Sequence, residues 1–384
     1  MTPTASSIGI VMIAAFACSG DAIAAPPHVK PIDPGRLLPF AQRFERAVND
    51  RDAVAINRAF DMPALTERIL RGVTLTIQQR RLIRDKVTHR FDMRTTFAGE
   101  MGEDAGVCTL LEIHDVNSRP RALYRVINEN GSFDYYDFIT APTRRGGVVF
   151  VDLYKTGMGE LISDFLRRQL LQEVGAADAL PADQRAISKM LGFWHGAEYD
   201  QALRYVERLP QVIGEQKTVL ILRGYCAAKV STQEFDRSRE AYRRVFSGDA
   251  GIDITLWDKL YKNDRWEEVL DAFGRTQRLV YDDPWLDGLK AAVFREQGRL
   301  ELARNVIDKS IAREPTLGRL YMIQLTIALA QKDNEQVARC MTTLEETFLY
   351  ELRDVTSLDE YADFVESVAC RKWVARRTTQ AQTE

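Results

Sequence analysis

The spacing of hydrophobic and polar residues changes once along the chain, and this change divides the sequence into two regions. Before residue 174, stretches with a helical period are followed by strand-like runs. After residue 184 every stripe has the helical period, as in "GRLELARNVIDKSIAREP", where Leu300, Ala303 and Ile307 lie at i, i+3 and i+7. The Gly, Ala, Asp and Pro residues of "VGAADALPADQ" interrupt both patterns and predict a linker at residues 175–184.

The first region, residues 26–174, is predicted to form helices followed by an antiparallel sheet. Helical patterns cover residues 37–49, 63–70, 76–96 and 158–173, and strand-like runs begin at Val107, Arg121, Phe133 and Gly147. The segments "NENGS" and "PTRRGG" between the strands have the composition of turns. These elements predict an α+β domain in which helices cover one face of the sheet.

The order of these elements resembles the cystatin-like and nuclear-transport-factor-like folds, in which helices close over a curved sheet. The "YYD" strand, followed by another strand and a helix, also resembles the end of periplasmic lipid-shuttle proteins. A curved sheet under helices can enclose an apolar pocket. The candidate lining residues of such a pocket are Phe133, Tyr135, Phe138, Val149 and Phe150. Because side chains alternate between the two faces of a strand, about half of the strand positions are expected to be core residues in any case.

The second region repeats one helical pattern at a nearly regular interval. The anchor positions of the pattern are Tyr199, Phe235, Trp266, Leu300 and Asn334. Three positions later lie Ala202, Ser238, Val269, Ala303 and Val337, and seven positions later lie Val206, Tyr242, Phe273, Ile307 and Met341. Ten positions later lie Leu209, Val245, Thr276, Ser310 and Leu344. One helix pair cannot bury such a stripe alone, so the pattern predicts stacked helix pairs.

The interval between anchors is close to the helix–turn–helix period of tetratricopeptide repeats, about 34 residues, and residues 184–347 resemble this family. The copy that resembles the family most is residues 285–315. Ala291 and Ala303 occupy its two small-residue positions, Phe294 its aromatic position and Gly298 its turn position, and Pro315 ends the unit. The resemblance implies an all-α solenoid of about five degenerate repeats over residues 185–350.

The segment after the repeats, residues 351–378, is predicted to be a capping helix with a polar outer face, followed by a tail at residues 379–384. Ser357 and Glu360 have the spacing of a capping box at the start of this helix. The side chains expected to face the repeats are those of Leu358, Tyr361, Val365 and Val368.

The N-terminal segment, residues 1–25, has the pattern of a secretory signal peptide. The uncharged run Ile8–Ala17 is followed by a polar break and small residues, which predicts cleavage after Ala24 or Ala25. The apolar run is too short to span a membrane, and no Lys or Arg precedes it. An alternative is a lipoprotein signal, in which Cys18 would carry a lipid anchor.

Four cysteines remain after such cleavage, and they are too scattered for a disulfide scaffold or a CxxC pair. They are expected to be buried thiols. In an oxidising compartment a bridge between Cys340 and Cys370 is an alternative, which the sequence leaves open.

Motifs for catalysis or cofactor binding are absent from the sequence. No HExxH, GxSxG, Walker or GxGxxG pattern occurs, and there is no cluster with metal-ligand spacing. His89 and His114 are expected at the surface, and Asp115 beside His114 is a potential orienting group. The net charge of −3 and the lack of basic segments interleaved with aromatics do not indicate nucleic-acid binding. We therefore expect a protein that is not an enzyme and needs no cofactor or metal.

The resemblance to tetratricopeptide repeats implies a concave wall built from the first helix of each repeat. Aromatic residues and arginines on such a wall are typical of recognition sites, whereas in a degenerate repeat they can also be core residues. The positions of the family's wall are occupied by Trp194, His195, Arg223, Asp258, Tyr261, Lys262, Trp285, Arg295 and Arg319.

Together these patterns predict an exported protein, periplasmic or secreted, that binds a protein or peptide partner in the groove of a repeat solenoid. Neither nucleic acid nor a transmembrane segment of the mature chain is expected. The alternative is a periplasmic carrier that holds a lipid or a small hydrophobic molecule in its N-terminal domain.

Overall fold

The computed structural model describes residue 32 and residues 34–93, 106–249, 251–352 and 358–381. These residues form two compact units, one that ends at Leu256 and one that begins at Trp257. The signal peptide predicted at residues 1–25, the potential lipidation site Cys18 and the capping residue Ser357 lie outside the described residues.

Within the described residues the first unit begins with four helices, three of which have a side-chain cap at their N-terminus. They are α1 (Pro34–Asn49), α2 (Ala53–Arg58), α3 (Met62–Ile69) and α4 (Ile77–Asp85). Asp61 caps α3 and Thr76 forms a capping box with Gln79 at the start of α4. The helix predicted over residues 76–96 is shorter than expected, because the backbone changes to a π-helical turn at Lys86–Arg90.

The sheet is an antiparallel meander in sequence order, as predicted, but it has five strands and not the four inferred from the sequence. The strands are β1 (Val107–Val116), β2 (Arg119–Ile127), β3 (Phe133–Pro142), β4 (Val148–Lys155) and β5 (Glu160–Leu161). Tyr124 pairs with Tyr136, which sets the register of β2 and β3. Helix α5 (Ile162–Glu173) begins later than the pattern indicates, because β5 occupies the preceding turn.

An aromatic core joins the helices to one face of this sheet. Phe44 of α1 lies between Tyr124, Phe138 and Phe150, and the ring centroids of Phe138 and Phe150 are 4.6 Å apart. The core extends beyond α5, since Leu180, in the segment expected to be a linker, is buried in the same cluster.

The rest of the first unit is helical. Its helices are α6 (Ala182–His195), α7 (Tyr199–Val206), α8 (Gln211–Gly214), α9 (Lys217–Val230), α10 (Thr232–Val245) and α11 (Gly251–Thr255). Helix α9 packs against α6, α7 and α10, so consecutive helices bury one another's apolar stripes.

The described part of the second unit is entirely helical. Its helices are α12 (Trp257–Tyr261), α13 (Trp266–Leu279), α14 (Pro284–Glu296), α15 (Leu300–Arg313), α16 (Gly318–Gln331), α17 (Asn334–Glu346), α18 (Ala362–Val365) and α19 (Val368–Ala381). Each helix from α13 to α16 packs against the next, and α14 also contacts α16.

The same turn recurs before four of the predicted anchor positions. Two residues before each anchor the backbone has a positive φ, at Ala197, Asp264, Gly298 and Lys332. The following N–H donates to the carbonyl five residues earlier; these pairs are Glu198–Phe193, Arg265–Leu260, Arg299–Phe294 and Asp333–Ala328. This is the hydrogen bond of a Schellman motif, which ends one helix and orients the next. The second copy differs, because α10 begins at Thr232, before its anchor Phe235.

Burial follows the predicted register closely. Every residue three or seven positions after an anchor is buried in all five copies. At the tenth position Thr276, Ser310 and Leu344 are buried, whereas Leu209 is half-buried and Val245 is 37% exposed. The two exceptions have a simple cause, because α7 ends at Val206 and α10 ends at Val245.

The C-terminal segment is not one continuous capping helix. The helix is interrupted between α18 and α19, where Ser367 Oγ accepts a hydrogen bond from the backbone N–H of Cys370 at 3.0 Å. The interruption changes the helical phase, and the expected inward positions Val365 and Val368 beside it are exposed, as is Leu358 before α18. Tyr361 is buried as expected, and it is joined in the core by Phe364, Ala369, Cys370 and Trp373.

Candidate functional site

Among the groove candidates of the first unit, two are accessible and one contributes to a cavity. His195 is exposed at the end of α6. Arg223 on α9 is half-buried, and its Nε has no hydrogen-bond partner among the described residues. Trp194 is half-buried, with its ring 5.3 Å from that of Tyr199 and 5.6 Å from that of Tyr225.

The candidates on α12 and directly after it lie at the surface of the second unit. Asp258 and Lys262 are exposed and form an ion pair of 3.3 Å. The hydroxyl of Tyr261 donates to Glu296 of α14 at 3.0 Å. Burial, together with this hydrogen bond to a carboxylate, raises the pKa of Tyr261 to about 12. Two first helices of the predicted repeats are therefore neighbours in the fold.

Trp285 does not lie on an accessible wall, which corrects the sequence-based assignment. Its side chain is 4% exposed, because the first turn of α14 is held inside the unit. The carboxylate of Asp283, also buried, accepts a hydrogen bond from the backbone N–H of Trp285 at 3.0 Å. The side chain of Gln277 donates to the backbone carbonyl of Asp283 at 3.0 Å. The remaining candidates Arg295 and Arg319 are half-buried, and Arg295 contacts Glu296.

The apolar pocket expected within the sheet domain is filled at the positions proposed for it. Tyr135, Phe138 and Phe150 are buried, and the last two are part of the aromatic core. Phe133 and Val149 are half-buried near strand ends. The assignment of the three buried rings to a pocket is therefore wrong. Phe138 and Phe150 fill the face that the helices cover, and Tyr135 is buried on the other face of the sheet.

A cavity of about 200 Å³ lies instead where the end of the sheet meets α6 and α9. Its apolar wall consists of Met158, Ile187, Leu191, Trp194, Ile221, Leu222 and Tyr225. The polar groups at the cavity belong to Glu160, Arg168 and Thr218, and Gly157 completes the lining.

The polar end of the cavity is a buried ion pair. Arg168 Nη1 and Nη2 each donate to one oxygen of Glu160 at 2.6 Å, and Nη1 also donates to Gln184 at 2.8 Å. Burial raises the pKa of Glu160, and the Arg168 guanidinium opposes this shift. The guanidinium carbon also lies 5.9 Å from the centre of the Phe165 ring.

A close approach of backbone to helix shapes this region. Gly159 has φ 69°, and a Cβ there would lie 2.7 Å from Cδ1 of Ile221. Thr218 Oγ1 donates to the carbonyl of Gly159 at 3.0 Å. The turn before β5 can therefore pack on the start of α9 only with glycine at this position.

His114 belongs to a buried polar cluster in the sheet and is not a surface residue. Its Nε2 lies 2.9 Å from Asp137 Oδ1, and Arg121 donates to Asp137 Oδ2 at 2.7 Å. The side chains are 10% exposed for His114 and fully buried for Asp137. The sheet register causes this arrangement, because His114 pairs with Arg121 across β1 and β2. Its carboxylate partner is thus Asp137 of β3 and not the neighbouring Asp115.

No family model, curated protein or solved structure matches the chain.

The described residues contain no group of His, Cys, Asp and Glu side chains placed to hold a metal ion. Within the same residues, no helix combines the length and the apolar character needed to cross a membrane. Cys340 and Cys370 are free thiols in one core cluster.

Sequence reasoning missed the charged side of the cavity. Glu160 and Arg168 belong to a strand of two residues and to the helix after it, where charged residues usually face solvent. The one lining residue that the sequence did mark as a candidate binding residue is Trp194, a large aromatic residue at a helix end. Nothing in the residue spacing links it to Arg168.

Proposed function

We propose that this is an exported, non-catalytic binding protein whose residues 184–347 form tetratricopeptide repeats that hold a protein or peptide partner. The observation that carries the proposal is the recurring Schellman turn before four anchors, since it ends the first helix and starts the second helix of each pair. Helix pairs joined by equivalent turns are the units from which repeat arrays are built.

Side-chain contacts that recur with the same period support this assignment. Gln297 donates to Glu267 at 3.0 Å, and Gln331 donates to Glu301 at 3.0 Å. Donor and acceptor are both displaced by the interval that separates the anchors Trp266 and Leu300. Equivalent surface contacts at one period are expected if each helix pair has the same environment as the next.

The proposed recognition surface of each unit is the wall formed by its own first helices of the repeats. In the first unit His195 on α6 is exposed and Arg223 is partly accessible. In the second unit Asp258 on α12 and Lys262 directly after it are exposed, and Arg295 and Arg319 are partly accessible. A mixture of charges with few large apolar groups favours a partner with charged residues of its own, bound in extended or helical form. Export rests on the pattern of residues 1–25.

Charge reversal beside a first helix and on a second helix of the repeats tests the proposal. The full chain with its leader is expressed, purified gently from the exported fraction and analysed by native mass spectrometry. We expect a retained polypeptide, and we expect Lys262→Glu to reduce its recovery about tenfold, equivalent to about 1.4 kcal/mol of binding free energy. The matched control is Lys309→Glu, an exposed lysine on the second helix α15.

Thermal unfolding of both variants should equal that of the wild type, because the Lys262–Asp258 pair is a surface ion pair that contributes little to stability. If the wild type retains no polypeptide, the proposed function is contradicted. Equal losses with Lys262→Glu and Lys309→Glu would show that the wall has been assigned to the wrong helices. The mass of the mature chain also tests for cleavage after Ala24 or Ala25 and for lipid on Cys18.

A further inference from the structure

The cavity between the end of the sheet and helices α6 and α9 has the size of a small-molecule site. Its volume is about 200 Å³. For comparison, an apolar protein cavity of about 150 Å³ binds benzene. The wall near Trp194, Leu191 and Ile221 is apolar, so it favours a ligand body without charge.

The arginine at the polar end has a nitrogen that makes no hydrogen bond within the described part of the protein. The side chain of Arg168 is 4% exposed and lines the cavity. Both of its terminal nitrogens donate to Glu160, whereas its buried Nε has no hydrogen-bond partner among the described residues of the protein. A buried donor without a partner is costly, and buried polar groups in native proteins nearly always have one.

The charge of this end is already balanced. Both oxygens of Glu160 accept hydrogen bonds from Arg168, so the pair carries no net charge and presents a carboxylate beside the cavity. An anionic ligand would lose its hydration without gaining an uncompensated cation. A neutral acceptor, such as a carbonyl or ether oxygen, fits the remaining donor better.

Water alone cannot satisfy the whole cavity. A buried water needs two to four polar partners, and apart from the single polar atoms of Trp194 and Tyr225 the lining side chains that can supply them are Glu160, Arg168 and Thr218. Thr218 already donates its hydroxyl to the carbonyl of Gly159. A water molecule there would leave the apolar wall around Trp194 without contacts, whereas close packing is the rule for protein interiors.

We propose that this cavity is a binding site for a small, neutral molecule with an aromatic or branched apolar body and one hydrogen-bond acceptor directed at Arg168. The site is separate from the pocket expected inside the sheet domain. It also does not depend on the exposed charges of the proposed partner-binding wall, because it is lined by residues of the turn before β5 and of β5, α5, α6 and α9.

Three probes of similar size test the proposal on the full-length mature protein by isothermal titration and ligand-observed NMR. Acetophenone has the apolar body and a neutral acceptor, ethylbenzene has the body alone, and benzoate has the body and a negative charge. We expect acetophenone to bind at least tenfold more tightly than either of the others, because only acetophenone satisfies Arg168 without adding charge.

Two variants assign the binding to this cavity. Leu191→Trp fills the space, and we expect it to weaken acetophenone binding at least tenfold. The control is Val212→Trp on α8, which adds the same side chain at a site that is 78% exposed and should leave binding unchanged. Arg168→Lys keeps the positive charge but lacks Nε, so acetophenone affinity should fall to that of ethylbenzene. Retained ethylbenzene binding then shows that the cavity is still formed.

The outcomes separate the parts of the proposal. Failure of all three probes to bind at millimolar concentration would overturn it. Equal affinities for acetophenone and ethylbenzene would refute the role of Arg168, and tightest binding of benzoate would refute the neutral ligand class. Binding that survives Leu191→Trp in a protein with the wild-type melting temperature would place the probe elsewhere. None of these results depends on whether a polypeptide partner is retained.

Discussion

At the scale of single residues, the positive-φ position of the recurring turn distinguishes well-adapted copies from poorly adapted ones. One of the four turns has glycine there, at Gly298, whereas the equivalent turn after α6 has Ala197. A residue with a Cβ is sterically disfavoured in the left-handed region, and glycine is not. For this reason the sequence identifies the turn at Gly298. It does not identify the other turns, because their residues at this position carry a Cβ and do not favour a left-handed backbone.

Exchanging alanine and glycine at these two turns should have opposite effects. We expect Ala197→Gly to stabilise the protein by about 0.5–1 kcal/mol and Gly298→Ala to destabilise it by about 1 kcal/mol, because φ is 56° and 71° at these positions. Urea unfolding followed by circular dichroism measures both changes. Destabilisation by Ala197→Gly would mean that this turn is not left-handed in solution.

Asp152 is a second residue whose properties depend on its surroundings. Its carboxylate is fully buried on β4 and accepts hydrogen bonds from the hydroxyl of Ser163 at 2.7 Å and from Arg68 at 3.4 Å. Burial raises its pKa from 3.8 to about 6, despite the opposing effects of Arg68 and Ser163. Between these two pH values the folded protein therefore binds a proton that the unfolded chain has lost.

This difference predicts a specific pH dependence of stability. As pH rises from about 4 to about 6, the contribution of Asp152 to the free energy of unfolding should fall, by an amount on the order of 3 kcal/mol. Asp152→Asn does not titrate, so its stability relative to the wild type should rise over this window and then remain constant. Urea unfolding of both proteins at several pH values measures this difference in stability. Asp50→Asn, at an exposed position in the same unit, is the control substitution.

At the scale of helices, the spacing of the repeats predicted the second helices well. Helices α7, α13, α15 and α17 each begin at the anchor residue inferred from the pattern. Local hydrogen bonding and one apolar stripe are sufficient to define such helices, so their period is readable. Burial of Trp285 was not readable, because periodicity does not tell which side of the first turn contacts a neighbouring helix.

Two glycines inside helices of the second unit should respond in opposite ways to alanine. A Cβ at Gly288 of α14 would lie 2.5 Å from Cδ2 of Leu320 on α16, whereas nothing lies within 4 Å of a Cβ at Gly274 of α13. We expect Gly288→Ala to cost about 1 kcal/mol, since overpacking in a core outweighs the gain in helix propensity. Gly274→Ala should add about 0.5–1 kcal/mol.

The free energy of unfolding in urea measures both changes, and Gly274→Ala is the matched control for helix propensity. Stabilisation by Gly288→Ala would show that Leu320 moves aside without loss and that α14 and α16 are less closely packed than their contact indicates.

At the scale of the whole molecule, the compact units are not those that the composition suggested. The segment at residues 175–184 interrupts the sequence pattern, yet the first unit continues to Leu256. Lys217 of α9 explains part of this continuity, because it bonds Asp249 at 2.5 Å and lies 5.4 Å from the centre of the Tyr154 ring on β4. The contact with Tyr154 joins the helical region to the sheet across a long stretch of chain, and it leaves no local trace in the sequence.

The sequence by itself determined the order of elements, the antiparallel meander and the register of the helical pattern. These depend on short-range hydrogen bonding and on the side of each element that is apolar, and both are written in neighbouring residues. Only the tertiary structure decided that Phe138 and Phe150 fill the sheet domain, that His114 pairs with Asp137, and that Arg168 borders a cavity beside Trp194. Those outcomes depend on which distant side chains meet, because burial and ion pairing act between surfaces that periodicity cannot place against each other.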